Sequence, residues 1–154
     1  MKVKYPKLTR CRYDFMHWYD IPSRDNPGQV YLRRFRIIQT PQFSILFHKI
    51  YEPDDGLYPH DHPWNWFRTF ILRGGYCEDF YSTYSHLVND RPIRNVWKKW
   101  SSHKVTHTQA HHITYVWPNT WTLVVTGKRI RKFCFWTPNG KVPYDKMGEL
   151  NDVE

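Results

Sequence analysis

Val30-Tyr31-Leu32-Arg33-Arg34-Phe35-Arg36-Ile37-Ile38 is the stretch on which the fold class turns. Five of its nine residues are β-branched or aromatic, and it stops at Thr40-Pro41, so it reads as a strand. Downstream, residues 43–51 form a second strand that ends at the turn signal Pro53-Asp54-Asp55-Gly56. A third covers residues 64–72 and ends at Gly74-Gly75, with another over 76–82. A polar loop through Asp90-Arg91-Pro92 leads into 95–100. Later strands occupy 111–117, 121–126 and 129–136, separated by Pro118-Asn119 and Gly127-Lys128. Upstream, residues 1–28 carry Pro6, Pro22, Pro27 and Gly28 and show no sustained period. They read as an irregular N-terminal arm with a short helical piece around 14–18. Residues 139–154 read as a loose, mildly acidic tail. Seven or eight short strands with turns between them predict an all-β sandwich or barrel in a single domain.

Composition narrows the class. The chain has 154 residues, 28 of them aromatic (8 Trp, 11 Tyr, 9 Phe), and Ala110 is its single alanine. That content excludes a disordered chain and long alanine-rich helices. No apolar run approaches the roughly 18–20 residues that span a bilayer, so no membrane partner is expected. The basic N-terminus is followed by no apolar segment and does not read as a signal peptide. Cys11, Cys77 and Cys134 are odd in number and widely spaced, which points to unpaired thiols and a cytoplasmic protein. The formal charge is +9, with nine Lys/Arg against three acids in residues 1–36. Such a surface attracts phosphates, nucleotides or nucleic acid without naming which. Arg33, Arg34 and Arg36 form one such patch, and Lys128, Arg129, Arg131 and Lys132 another.

Nine histidines make the chain unusual. His60-Asp61-His62 places two imidazoles at i and i+2, which share a face in extended chain and can grip one metal ion. Imidazole suits Fe, Zn, Ni or Cu and does not choose among them. His111 and His112 are adjacent, so only one can face inward. His111 shares parity with Ile113, Tyr115 and Trp117, the bulkier apolar set, and is the inward one unless a bulge reverses the register. His48 either lines the pocket or is a satisfied core histidine. His103 and His107, in the polar stretch 101–109, read as solvated.

The order Gly56-x3-His60-x-His62, then Gly74-Gly75, then a late single His resembles the two motifs of the cupin superfamily. It is similar to small cupin-like proteins of phage and bacterial genomes. The matching stretches include His60-Asp61-His62-Pro63-Trp64, Leu72-Arg73-Gly74-Gly75, Ala110-His111, Trp121-Thr122-Leu123 and Phe135-Trp136-Thr137-Pro138-Asn139-Gly140. The resemblance implies a double-stranded β-helix, or jelly-roll barrel, over residues 29–138. It also implies one divalent metal ion held by His60, His62 and His111, with Fe(II) ahead of Zn, Ni or Mn. Two features depart from the family. Phe67 stands in place of the usual cupin glutamate, and the Pro-x-Gly before the late His is missing. Either the site is three-histidine or Glu78 joins it as a fourth ligand or acid/base. Arg68 would anchor an anionic substrate unless Pro63 shifts its register. Trp64, Trp66 and Trp117 would form an aromatic wall or simply fill the barrel.

The resulting expectation is a mononuclear metal cupin acting on a small anionic molecule, with Fe(II)-dependent oxygenation as the leading chemistry. One rival is a non-catalytic cupin module that sequesters a nucleotide or signalling molecule. Another is a basic nucleic-acid-binding protein with incidental histidines. Cupins often pair through their sheets, so a homodimer is also expected.

Overall fold

A computed structural model describes residues 13–146. Eleven strands dominate: β1 (Asp14–Pro22), β2 (Val30–Gln39), β3 (Ser44–Ile50), β4 (Trp66–Arg73), β5 (Gly75–Tyr81), β6 (Ile93–Lys98), β7 (Ser102–Thr106), β8 (Ala110–Val116), β9 (Thr120–Thr126), β10 (Cys134–Thr137) and β11 (Gly140–Pro143). One short helix, α1 (Tyr84–Asn89), follows β5, capped by Thr83, whose hydroxyl accepts the His86 N–H. The large sheet has the order β1-β2-β3-β9-β4-β7, and β6-β5-β8 forms part of the facing one. His60 extends that second sheet. It bridges β8 at His111 and β10 at Phe135, so the hairpin β10-β11 continues the same layer. The flanking Pro59 and Pro63 lack ladder donors and keep this bridging segment short. The result is an antiparallel jelly-roll barrel, the all-β class expected.

Alternation sets what faces inward. On β3, Ser44, Leu46, His48 and Ile50 are buried while their neighbours are not; β9 repeats this with Thr120, Thr122, Val124 and Thr126. Two apolar clusters fill the barrel. One contains Leu32, Ile50, Ile71, Tyr76 and Ile113; the other contains Leu46, Phe67, Val105 and Val124. Between them each strand contributes a polar residue. His48 separates Ile50 from Leu46 on β3, Thr69 separates Ile71 from Phe67 on β4, and Glu78 lies between Tyr76 and Phe80 on β5. His111 precedes Ile113 on β8, Arg34 follows Leu32 on β2, and His103 precedes Val105 on β7. A polar belt therefore crosses the interior, and burying it is costly unless its members find partners. Tyr76 Oη and His103 Nε2, 3.2 Å apart, tie the two sheets across this belt.

Several local expectations are corrected. Residues 14–22 are neither irregular nor helical; they form edge strand β1, which is held by pairing with β2 along its length. The stretch 101–109 contains β7, whose buried His103 and Val105 alternate with exposed or half-buried residues. A strand over 129–136 shrinks to β10, because residues 130–133 make no ladder and Arg129 only bridges Trp64. The loop after β5 contains α1, and the tail contributes β11. The arm's residues 1–12 and the tail's 147–154 lie outside the described residues.

Gly74-Gly75 makes the turn from β4 into β5. Gly74 has a φ of +67°, and a Cβ there would lie 2.4 Å from Thr120 Oγ1. At Gly75 the φ is +150°, and a Cβ would lie 2.2 Å from the Trp97 carbonyl oxygen. Only glycine fits, and this turn sets the register that points Tyr76 and Glu78 inward.

Candidate metal centre

His60, Asp61 and His62 alternate across a short extended segment. Asp61 is fully buried on one side, where Oδ1 accepts the Cys134 N–H at 2.8 Å and Oδ2 accepts the Trp136 indole at 2.8 Å. Arg131 pairs with the same carboxylate at 3.0 Å. That clasp onto β10 turns both imidazoles to the other side. There they meet His111 from β8, and one ring nitrogen from each of the three lies within 4.8 Å of the others. The Nε2 atoms of His62 and His111 are 2.9 Å apart. Two nitrogens bound at right angles to one metal, each at about 2.1 Å, lie about 3 Å apart, so this spacing suits a shared ion.

The far nitrogens meet carboxylates. His111 Nδ1 lies 2.6 Å from Glu78 Oε2. Glu78 is 1% exposed, and its other oxygen accepts the Trp97 indole at 2.7 Å and the Asn95 amide at 3.4 Å. Asp54 Oδ2 is 3.6 Å from His60 Nδ1, beyond a hydrogen bond but close enough to act by charge. A carboxylate behind an imidazole fixes the ring so that Nε2 faces the metal. Three converging imidazole nitrogens, two of them on rings backed by carboxylates, form a donor set that fits a divalent transition metal.

Electrostatics follow from burial. Burial pushes the His60 pKa down to about 4 against the pull of Asp54, and holds His62 well below its ordinary value with help from His111. Both are neutral at pH 7 and ready to donate a lone pair. Burial also opposes a charge on His111, but the Glu78 hydrogen bond and charge outweigh it and raise that pKa. Glu78 mirrors this. Burial would raise its pKa, yet His111 brings it down to about 2. Each group favours the other's charged form; a bound metal would occupy Nε2 while Nδ1–H still donates to Glu78.

Other candidates fall in different places. Trp64 stacks on His62 at 5.8 Å between ring centres, beside Phe67 at 4.2 Å. His48 is buried on β3, and its Nε2 accepts from Arg34 Nε at 2.8 Å. Arg68 is not an interior anchor. It is exposed on the outer face of β4 beside Ser102 at 3.3 Å, because Phe67 and Thr69 take the inward positions. Trp66 shares that outer face, with Lys104 5.2 Å from its ring. Trp117 lies past the far end of β8, edge-on to Tyr115 at 5.1 Å, and neither tryptophan walls the trio. His103, expected to be solvated, is buried, stacks on Trp97 at 4.4 Å, and lies 4.0 Å from Glu78 Oε2. Arg34 points inward with Tyr19 beside it, not into a surface patch. Arg34 shares parity with Leu32, but its charge suggested a surface patch. Cys77 and Cys134 carry free thiols.

Comparison with solved structures agrees on the fold. KdgF from Halomonas sp. matches with a TM-score of 0.51 and 16% identity, over 76% of this chain and 96% of that one. HppE, the hydroxypropylphosphonic acid epoxidase of S. wedmorenis, matches in its Fe(II) form with substrate at a TM-score of 0.54 and 12% identity, over 75% of this chain and 64% of the enzyme's. Both share little sequence identity with this chain, and the likeness shows the fold alone. This chain spans somewhat under two thirds of the epoxidase. No protein-family model and no curated protein matches the sequence.

Proposed function

We propose that the chain is a mononuclear metal cupin, with His60, His62 and His111 as ligands, acting on a small anionic molecule inside the barrel. The carrying observation is that one ring nitrogen from each of three histidines lies within 4.8 Å of the others, with His111 buried and His60 and His62 half-buried. Glu78 serves by holding His111 in the ligating tautomer; it bonds to Nδ1, on the other side of the ring from the proposed ion. Trp64 and Phe67 cover His62 and keep water from that side. Fe(II) is the ion we favour over Zn, Ni or Mn. Bound by three neutral ligands, it would keep positions open for O2 and substrate, the requirement of an oxygenation.

The reading includes a homodimer through the outer face of the large sheet. Phe35, Phe47, Leu123 and Phe70 form one cross-strand apolar row there, flanked by a half-exposed Trp18.

Elemental analysis of untagged protein beside a His60→Ala/His111→Ala double variant tests the centre. About one equivalent of a transition metal in the parent, lost in the variant, is the expected result. No metal in either after anaerobic loading with Fe(II) would remove the metalloprotein and leave a binding barrel. Light scattering of the eluting protein tests the dimer, with a monomer mass overturning it.

A further inference from the structure

Three arginines on β2 face different fates. Arg33 pairs with Asp20 at 2.7 Å, and Arg36 pairs with Asp14. Arg34 has no carboxylate partner among the described residues. It is nonetheless on the inward row, opposite buried His48, half-buried at the edge of the polar belt. Its Nε donates to His48 Nε2 at 2.8 Å and its Nη1 to the Tyr19 hydroxyl at 3.0 Å. The outer end of the guanidinium, with one N–H on Nη1 and both on Nη2, has no protein acceptor among the described residues. Arg34 and His48 share the polar belt between the two apolar clusters with His111, the β8 member of the trio.

Tyr19 beside it is also incompletely used. Its oxygen accepts from Arg34 Nη1 and from Arg36 Nη2, each at 3.0 Å, which leaves its own proton without an acceptor among the described residues. Burial raises the phenol's pKa, but the two guanidinium groups outweigh it and bring it below the ordinary value, making the O–H a stronger donor. Thr122, fully buried and paired in register with His48, has an Oγ1 with no partner among the described residues. Unmet polar groups in a barrel interior are costly, so a complement is called for.

We propose that Arg34, with the Tyr19 hydroxyl, anchors the carboxylate of a small ligand inside the barrel, the ligand's second oxygen donor facing the three histidines. This rests on the metal reading for the second contact but not for the first. The free end of a guanidinium presents parallel N–H bonds that match the two oxygens of a carboxylate. Asp14 and Asp20 already neutralise the neighbouring arginines, so one positive charge remains for one negative charge. In the metal-free protein that balance favours a carboxylate over a phosphoryl dianion.

Succinate is the probe, followed by NMR of the Arg34 side-chain N–H signals in metal-free protein and by the visible spectrum of Co(II)-loaded protein. Succinate should shift the Arg34 signals, and Co(II) should tighten its binding at least tenfold. Arg34→Gln should lose at least tenfold in succinate affinity in both forms, while Co(II) stoichiometry and azide binding to Co(II) stay as in the parent. Tyr19→Phe, which keeps the ring, should lose about threefold or more. Unmoved Arg34 signals, equal succinate affinity in Arg34→Gln, or methylphosphonate binding more tightly than acetate would overturn the carboxylate anchor. Failure to bind Co(II), with succinate still sensitive to Arg34, would sink the metal reading and leave the anchor standing.

Discussion

Glu78 shows how much one buried side chain decides. Its carboxylate holds His111 at 2.6 Å and is itself held by Trp97 at 2.7 Å, so the ring has little freedom to turn. Glu78→Gln keeps the volume and removes the charge. Outer partners of metal-bound histidines are worth roughly 10–100-fold in metal affinity, and we expect a loss in that range, measured by competition with a chromogenic chelator. An unchanged affinity would mean that His111 needs no such support. His60 and His62 are legible from spacing, because imidazoles at i and i+2 share a face in extended chain. His111 is inward with Ile113 as parity predicts, but Tyr115 of the same set is half-exposed past a register shift in the β5–β8 ladder. Arg68 misled for a physical reason. Alternation from His62 does not carry across Pro63, because β4 begins only at Trp66. Arg34 was hidden by the reverse prejudice, that a charge on a strand faces water.

Elements were legible where alternation was apolar and obscure where it was polar. The strand at residues 30–38 and that at 121–126 announce themselves with β-branched and aromatic residues. By contrast, β7 alternates His103 and Val105 with Ser102, Lys104 and Thr106, and its inward histidine reads as polar until its partners Tyr76 and Trp97 are seen. β1 is mostly exposed and exists through its ladder with β2, a long-range contact that local sequence does not carry. The Gly74-Gly75 turn was visible, and the structure adds why it must be glycine. Gly75→Ala would bring a Cβ to 2.2 Å from the Trp97 carbonyl, which is backbone and cannot rotate aside. We expect a loss of about 2 kcal/mol or more, read from denaturant midpoints. The β5 register should loosen with it, so the Trp97–Glu78–His111 chain would weaken and metal affinity would fall alongside stability. A variant as stable as the parent would mean that β5 can shift to make room.

For the molecule as a whole, the polar belt has a thermodynamic consequence. Burial holds His48 and His62 well below their ordinary pKa, and His60 and His103 at about 4. In the unfolded chain these groups titrate near 6.5. Between pH 6.5 and about 4 the unfolded state therefore binds protons that the folded state refuses. The stability tied to these groups is complete above pH 6.5 and is lost as the pH falls. A displacement from 6.5 to about 4 is worth roughly 3 kcal/mol at 1.36 kcal/mol per pH unit, for His60 and for His103 alike. His111 runs the other way. Its pKa is raised by Glu78 despite burial, so its contribution is present below 6.5 and fades as the pH climbs through the raised value. Four against one leaves net acid lability. Thermal melts of the metal-free protein should thus fall steeply between pH 6.5 and 4.5. Loading the trio should raise the melting temperature at pH 7, by about 2.7 kcal/mol of stability at a free metal concentration one hundred times the Kd. That gain should shrink toward pH 5, where protons compete for the same nitrogens. The metal-free slope separates belt from centre, because His103→Gln removes a belt histidine outside the trio and should flatten the acid limb without abolishing the metal's effect. A parent melting temperature that stays level from pH 7 to 4.5 would mean that the belt admits water freely, and that its histidines titrate as they do in solution.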